Sequence, residues 1–391
     1  MFVHFGLYSV IGKGEWAKEN LNIPWDEYHK LLNSFCPKSN WADELVLTAK
    51  DAGCRYITLT TRHHDGFSLY DTCGLNTYDA PHACGRDLIK EFVDACNEHG
   101  VIPFFYHTLL DWHEESYKTN FKEYLDYLRK SVELLCKNYG KIGGLWFDGM
   151  WDKPDADWEE DSLYSLIRSY QPDAMIINNT GLSHRGELGH IELDSVTFER
   201  GRPHPINLEG SPKYIASEMC ETFASHWGYA ENDFNFKSLE HIINSFATCR
   251  RYRSNFLFNV GPKMDGTLRT IDKGALEILG QWSRLNDEAL HLPEPTDIKI
   301  KNNPNNFMLH NNNAYYLFIT NLNISGNENV TINHSSNLNN TFTFEPKIKS
   351  VCWLDNGEPL TFTQNNEEAT IQTKPFEYGQ DFVVRIAKIE L

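Results

Sequence analysis

From Phe2 to Leu290, short and nearly continuous apolar runs alternate with stretches whose apolar residues recur every three or four positions. Eight of the runs read as strands: FVHFGLYS (2–9), YITLTT (56–61), VIPFFYH (101–107), GLWFDG (144–149), AMIINN (174–179), DSVTFE (194–199), YIASEM (214–219) and NFLFNVG (255–261). Runs apolar on both faces are expected of parallel strands covered on both sides. Helical patterns fall at 41–52, 87–98, 117–138, 161–169, 239–251 and 273–290. Gly53 and Gly100 stand where a helix-ending glycine precedes the next strand. Eight strands with interleaved helices over roughly 290 residues predict an α/β fold, a (β/α)8-like TIM barrel, whose ordinary size is about 250 residues. Helical periodicity is hard to find after the fifth and sixth strands, so the barrel should be irregular there.

The pattern changes at HLPEP (291–295), whose two prolines mark a linker. Beyond it, the alternating runs AYYLFIT, NVTINH, TFTFEP, SVCWLD and FVVRIAKI are separated by asparagine and glycine, which predicts a small C-terminal antiparallel β-sandwich. The expected division is a catalytic barrel at 1–292 and a sandwich at 293–391. Asn311–Asn313 and Asn339–Asn340 read as loop tips, and the glycosylation triplets at Asn323, Asn329 and Asn333 as chance matches in an asparagine-rich segment.

Composition narrows the partners. Lys and Arg number 36 against 54 Asp and Glu, a formal charge of −18, so nucleic acid and anionic membrane are not expected partners. Aromatic residues make up 13% of the chain, and rings that fill cores also stack on sugars. The nine cysteines show no CxxC or other metal-type spacing and read as reduced thiols. With no signal peptide and no membrane-length apolar run, the expected location is the cytoplasm; export would require a leader ahead of Met1.

In a barrel of this kind, chemistry sits at the C-terminal ends of the strands. Those ends carry His4, His63-His64-Asp65, Tyr106-His107, Asp148, Asn178-Asn179, Glu199 and Glu218, with Trp16, Trp112, Trp146, Trp151 and Trp227 at the same level. Asp148 lies in GGLWFDGMW, a charge at the end of a buried strand walled by aromatics, and such a charge is costly unless used. Paired with Glu199 it supplies the two carboxylates of glycoside hydrolysis. Glu192, seven residues earlier, would lie about 23 Å lower on the same strand. Glu218 is the remaining rival for the acid, or it orients a sugar hydroxyl. Adjacent His63 and His64 lack an HxH or HExxH spacing, so hydroxyl recognition is favoured over metal, and neither metal nor cofactor is expected.

Taken in order, HFGLYS followed by GEW, then TRHHDGF, FYHTLLDW, LWFDG, D-x-x-T-x-E and LFNVGP resemble the α-L-fucosidases of glycoside hydrolase family 29, over roughly residues 2–290. The resemblance implies a retaining exo-fucosidase, a barrel followed by a β-sandwich, and a fucosylated glycan or oligosaccharide as substrate. Carried over by position, the nucleophile falls on Asp148 and the acid/base on Glu199. Fucose contacts fall on His4, Glu15, Trp16, His63, His64, Tyr106, Trp146 and Trp227, with Trp227 in HWGY facing the C6 methyl. After strand five many members carry an arginine that contacts the sugar. Here INNTG places Thr180 there, with Arg185 the nearest substitute.

Two other readings compete. A related barrel glycosidase acting on another sugar, such as an α-galactoside, would share the carboxylates. A non-catalytic fucose-binding protein would keep the aromatics and histidines without a working carboxylate pair. The loops at 151–160 and 200–212 are expected on the leaving-group side.

Overall fold

The computed structural model describes residues 1–312, 314–324 and 338–391. Eight parallel strands close into a barrel in chain order. They are β1 (Phe2–Val3), β2 (Tyr56–Arg62), β3 (Ile102–Thr108), β4 (Gly144–Asp148), β5 (Met175–Asn178), β6 (Ser195–Glu199), β7 (Ala216–Thr222) and β8 (Ser254–Val260). Closure is made where Phe2 and Val3 pair with Asn259 and Val260 of β8 on one side and with Thr58 and Leu59 of β2 on the other.

The first strand is much shorter than its apolar run. After Val3 the ladder toward β2 passes to a side chain: the Thr60 hydroxyl accepts from the Phe5 N–H at 2.9 Å and donates to the Phe5 carbonyl at 2.6 Å. The chain then tightens into a 3₁₀ turn at Leu7–Val10. A threonine imitating a strand neighbour cannot be read from hydrophobic alternation.

Helices fall where the 3.6-residue period places them: Trp41–Asp51, Leu88–His99, Phe121–Asn138, Glu160–Tyr170, Leu239–Arg251 and Thr270–Leu285. Asp87 caps Leu88–His99 by accepting from the Lys90 N–H at 2.9 Å, and Gly100 ends it in the left-handed region. Among the described residues no helix links β5 to β6 or β6 to β7. The first of those connections lines the cavity at the barrel mouth.

The C-terminal region holds a five-stranded sheet, in the order Ser350–Trp353, Val384–Glu390, Ala314–Thr320, Phe307–His310, Glu294–Pro295. A three-stranded sheet orders Asn339–Thr343, Glu368–Gln372 and Thr361–Asn365. Every pairing is antiparallel. One apolar core takes Leu317, Trp353 and Ile389 from the first sheet and Phe342, Ala369 and Ile371 from the second, which makes the region a β-sandwich. The run NVTINH, the triplets at Asn329 and Asn333, Ser325 of the first triplet and Asn313 lie outside the described residues. By compactness the chain forms two units, Met1–Lys237 with Phe256–Glu277, and Ser238–Asn255 with Ile278–Leu391.

Candidate active site

Residues two apart on a strand share a face. Phe2, Phe104, Tyr106, Trp146 and Ile177 pack together in the barrel interior. Asp148 follows Trp146 by two and so faces the same interior, one level nearer the mouth. Phe147 between them faces outward, its ring 6.4 Å from that of Tyr164. Gly149 then turns the chain with φ 103°, and a Cβ there would sit 2.7 Å from the Leu110 Cβ. Only glycine fits that position, which explains the residue that follows Asp148.

Asp148 accepts three hydrogen bonds: from the Tyr106 hydroxyl at 3.1 Å, the Trp151 indole N–H at 3.1 Å and the Asn179 amide at 3.2 Å. His64 Nε2 lies 3.5 Å away. The same Asn179 nitrogen donates to Glu199 Oε2 at 2.8 Å, so one NH₂ group serves both carboxylates. Its orientation is set from behind. Asn179 Oδ1 accepts from the Thr197 hydroxyl at 2.9 Å and from the Gly181 N–H at 3.2 Å, and only an oxygen can accept a backbone N–H.

Glu199 closes β6 and is partly buried, and desolvation together with the negative charge of Asp148 raises its pKa. The amide of Asn179 and the guanidinium groups of Arg200 and Arg185 pull in the other direction without reversing it. Arg185 Nε donates to the Glu199 carbonyl, and a Cβ on Gly201 would lie 2.6 Å from Arg185 Cδ. Arg185 therefore backs the strand that ends in Glu199, and it is not among the residues lining the cavity described below. Arg200, in the left-handed region at φ 47°, donates to the Ser225 carbonyl at 2.7 Å and sits 5.1 Å over the Trp227 ring.

Three buried histidines complete the wall. His4 Nδ1 faces Asn259 Oδ1 at 2.7 Å, while Asn259 Nδ2 donates to the Trp227 carbonyl. His64 Nδ1 faces Thr108 Oγ1 at 2.7 Å, whose own proton goes to the Leu110 carbonyl. Both rings thus carry hydrogen on Nδ1 and leave Nε2 as an acceptor. Burial pushes His4 down to about 3 and His64 down to about 4, so both are neutral near pH 7. Burial lowers His63 as well, and its Nδ1 is buried without a partner. Neutral imidazoles suit sugar hydroxyls.

The carboxyl next in that run behaves differently. Asp65 accepts from the Tyr28 hydroxyl at 2.7 Å, and burial pushes its pKa up to about 7. The folded state therefore holds this proton more tightly than the unfolded chain. Stability from Asp65 is full below about pH 4 and falls as pH rises to about 7, by on the order of 4 kcal/mol. Urea unfolding across that range should show Asp65→Asn with a flatter pH dependence than the wild type; equal slopes would refute the assignment.

These groups line a cavity of about 820 Å³. Of the sequence-predicted residues, Asp148, Glu199, His4, Trp16, His63, His64, Tyr106, Trp146 and Trp227 are on its wall, and Glu15 and Glu218 are not. Register explains Glu218: Glu199 pairs with Cys220, which leaves Glu218 beside Thr197, about 6–7 Å deeper. There its oxygens take the Trp146 indole N–H at 3.0 Å and the Tyr56 hydroxyl. Glu15, also buried, accepts from the N–H groups of Trp227 at 3.1 Å and Gly228 at 2.8 Å. Glu218 thus holds the Trp146 indole, and Glu15 the backbone that carries Trp227. Of the expected leaving-group loops, 151–160 contributes Trp151, Pro154 and Glu160, whereas 200–212 contributes none of the lining residues. The wall there comes from 180–189 instead, which no sequence motif marked. Among the described residues, the cluster with metal-like spacing is Asp43, Glu98 and His99, none of which lines the cavity.

What a barrel can do with paired carboxylates under neutral hydroxyl-binding groups is cleave a glycosidic bond, so the class defined here is the glycoside hydrolases. The chain belongs to the alpha-L-fucosidase family, whose profile matches residues 1–288. It is 27% identical over 343 residues to the tissue alpha-L-fucosidase of Macaca fascicularis, covering 78% of this chain and 69% of that protein. The structure of alpha-L-fucosidase isoenzyme 1 from Paenibacillus thiaminolyticus superposes with a TM-score of 0.83 at 25% identity, covering 100% and 96% of the two chains. A family 29 alpha-L-fucosidase from Bacteroides thetaiotaomicron, trapped as a covalent intermediate with 2-fluoro-fucosyl fluoride, shares the fold at 20% identity, with a TM-score of 0.79 and coverage of 100% and 93%.

Proposed function

We propose that this protein is an exo-acting retaining α-L-fucosidase that removes terminal α-L-fucose from glycans or oligosaccharides by double displacement. The observation that carries the mechanism is the shared amide of Asn179. Its two N–H bonds diverge by about 120°, so near-linear bonds of 3.2 and 2.8 Å correspond to carboxylate oxygens about 5 Å apart. Retaining pairs stand about 5–5.5 Å apart and inverting pairs about 6.5–9.5 Å, leaving room for water.

In the first step an Asp148 oxygen attacks the anomeric carbon while Glu199 passes its proton to the departing glycosidic oxygen. The bond to the leaving group breaks as the aspartyl ester forms. Glu199 then removes a proton from water, which attacks the same carbon and returns Asp148 as a carboxylate. Esterification removes the Asp148 charge that helps to raise the Glu199 pKa. Glu199 is thus a weaker acid, held protonated, when it must donate, and a stronger acid, left as a carboxylate able to act as base, once Asp148 is esterified, as the two roles demand. Phe2, Tyr106 and Trp146 close the floor, which suits a terminal sugar. His4 and His64 accept from hydroxyls, and Trp227 walls the C6 methyl. One buried methyl is worth only about 0.8 kcal/mol, so shape and hydroxyl contacts must do most of the selection. The trapped intermediate of the Bacteroides enzyme is the species such a route passes through.

The test is to hydrolyse an aryl α-L-fucoside in an NMR tube beside the matching α-galactoside. Fucoside should be the faster by far and α-fucose the first anomer released; β-fucose first would mean inversion, and a faster galactoside another sugar. Asn179→Ala should lower kcat/KM about 10²-fold, the usual cost of misplacing reacting groups by about 1 Å. Wild-type kcat/KM in that variant would remove the amide from the mechanism.

A further inference from the structure

The cavity is larger than one deoxyhexose requires, and one side of its wall is formed by 180–189. That side is fastened to Glu199: the Gly186 N–H donates to the Thr197 carbonyl at 2.9 Å, Arg185 Nε to the Glu199 carbonyl, and Asn179 to the Glu199 carboxylate. An acid that protonates the glycosidic oxygen must stand beside the group attached to that oxygen. The wall at 180–189 is therefore where a leaving group sits, given the fucosidase reading on which this inference rests.

Its chemistry is mixed. Leu182 is 55% exposed, Leu188 39% and Trp151 40%, large apolar side chains presented to solvent around the cavity they line. Exposed apolar groups gathered at a cleft mark a ligand surface. Beside them His184 Nδ1 and Glu187 Oε2 lie 3.1 Å apart with both side chains exposed, offering polar atoms at the rim. The turn that presents them is pinned where the Thr180 hydroxyl donates to the His184 carbonyl at 2.7 Å. Charge is one-sided: Asp148, Glu160, Glu187 and Glu199 line the cavity, and among the described lining residues there is no lysine or arginine.

We propose that Leu182, Leu188, Trp151, His184 and Glu187 form a leaving-group subsite for a neutral pyranose. The sugar attached to fucose lays its C–H face on the leucines and the indole and turns its hydroxyls to the His184–Glu187 pair. A sulfated or carboxylated sugar at that place meets lining carboxylates, while the nearest guanidinium groups are engaged elsewhere, Arg185 on the Glu199 carbonyl and Arg200 over the Trp227 ring.

The experiment compares α-L-fucosyl fluoride, whose leaving group is one atom and fills no subsite, with neutral α-L-fucosyl disaccharides. The α1,2, α1,3, α1,4 and α1,6 linkages are screened first, and the linkage that the wild type cleaves fastest is kept. In Leu182→Ser/Leu188→Ser the ratio of kcat/KM for disaccharide over fluoride should fall tenfold or more. In His184→Ala/Glu187→Gln, where the changed side chains are solvent-exposed and folding is not at issue, it should fall at least threefold. A disaccharide sulfated on the second sugar should be cleaved at least tenfold more slowly than its neutral form. Wild-type ratios in the folded variants overturn the subsite, and a sulfated substrate cleaved as fast as the neutral one overturns the neutral class. A wild type that turns over neither fluoride nor disaccharide would instead sink the fucosidase reading itself.

Discussion

Asp148→Gly should leave a folded protein whose turnover of an aryl α-L-fucoside is at least about 10⁴-fold lower, the scale seen when a covalent nucleophile is removed. Asp148 accepts the Tyr106, Trp151 and Asn179 donors beside an open cavity, so water can take its place and stability should change by about 1 kcal/mol or less. The sharper signature is chemical. With the carboxylate gone, azide can enter from its side and displace fluoride from α-L-fucosyl fluoride, giving the β-fucosyl azide. Wild-type activity in this variant, or an α-azide product, would end the assignment of Asp148 as nucleophile.

Glu199→Ala should lose about 10²–10⁴-fold on disaccharides, whose leaving oxygen needs a proton. It should lose far less in the first step on fucosyl fluoride, which needs none. Azide should then intercept the ester intermediate and give the α-fucosyl azide, opposite to the product from Asp148→Gly. The pH dependence follows from the raised pKa. Glu199 must be protonated to donate, so wild-type kcat/KM on disaccharides should fall as pH rises through that pKa, at a higher pH than an ordinary glutamate would give. A wild-type alkaline limb that persists unchanged in Glu199→Ala would assign the proton to another group.

The barrel was legible because its strands are apolar on both faces and its helices keep a 3.6-residue period. Neither signal depends on what lies across the molecule. Where one did depend on it, the reading ran out. FVHFGLYS reads as a full strand, yet Thr60 intervenes after Val3. Glu218 reads as a strand-end carboxylate level with Glu199, but the pairing of β6 with β7 sets it a layer deeper. Asn179 was visible as a strand end, but not its function, because that function is a distance to two residues 31 and 20 positions away. The stretch 180–189 has no periodicity and no motif, and only the folded chain shows it bound to the strand that ends in Glu199. GGLWFDGMW, by contrast, carries its own reasons: the inward alternation that aims Asp148, the glycine that lets the chain turn past Leu110, and the indole of Trp151 that reaches back to the carboxylate.

The fastening of 180–189 to β6 bears on how such enzymes diverge and can be redesigned. Because Arg185, Gly186 and Asn179 all bind the strand that ends in Glu199, this loop cannot be grafted from a relative as a free specificity cassette. A transplanted loop of different length would shift Glu199, the proposed proton donor, along with the proposed leaving-group surface, trading new selectivity against rate. Variation that spares the anchors and changes only Leu182, His184, Glu187 or Leu188 would leave the donor in place. Those four positions are where a library aimed at a new linkage should begin.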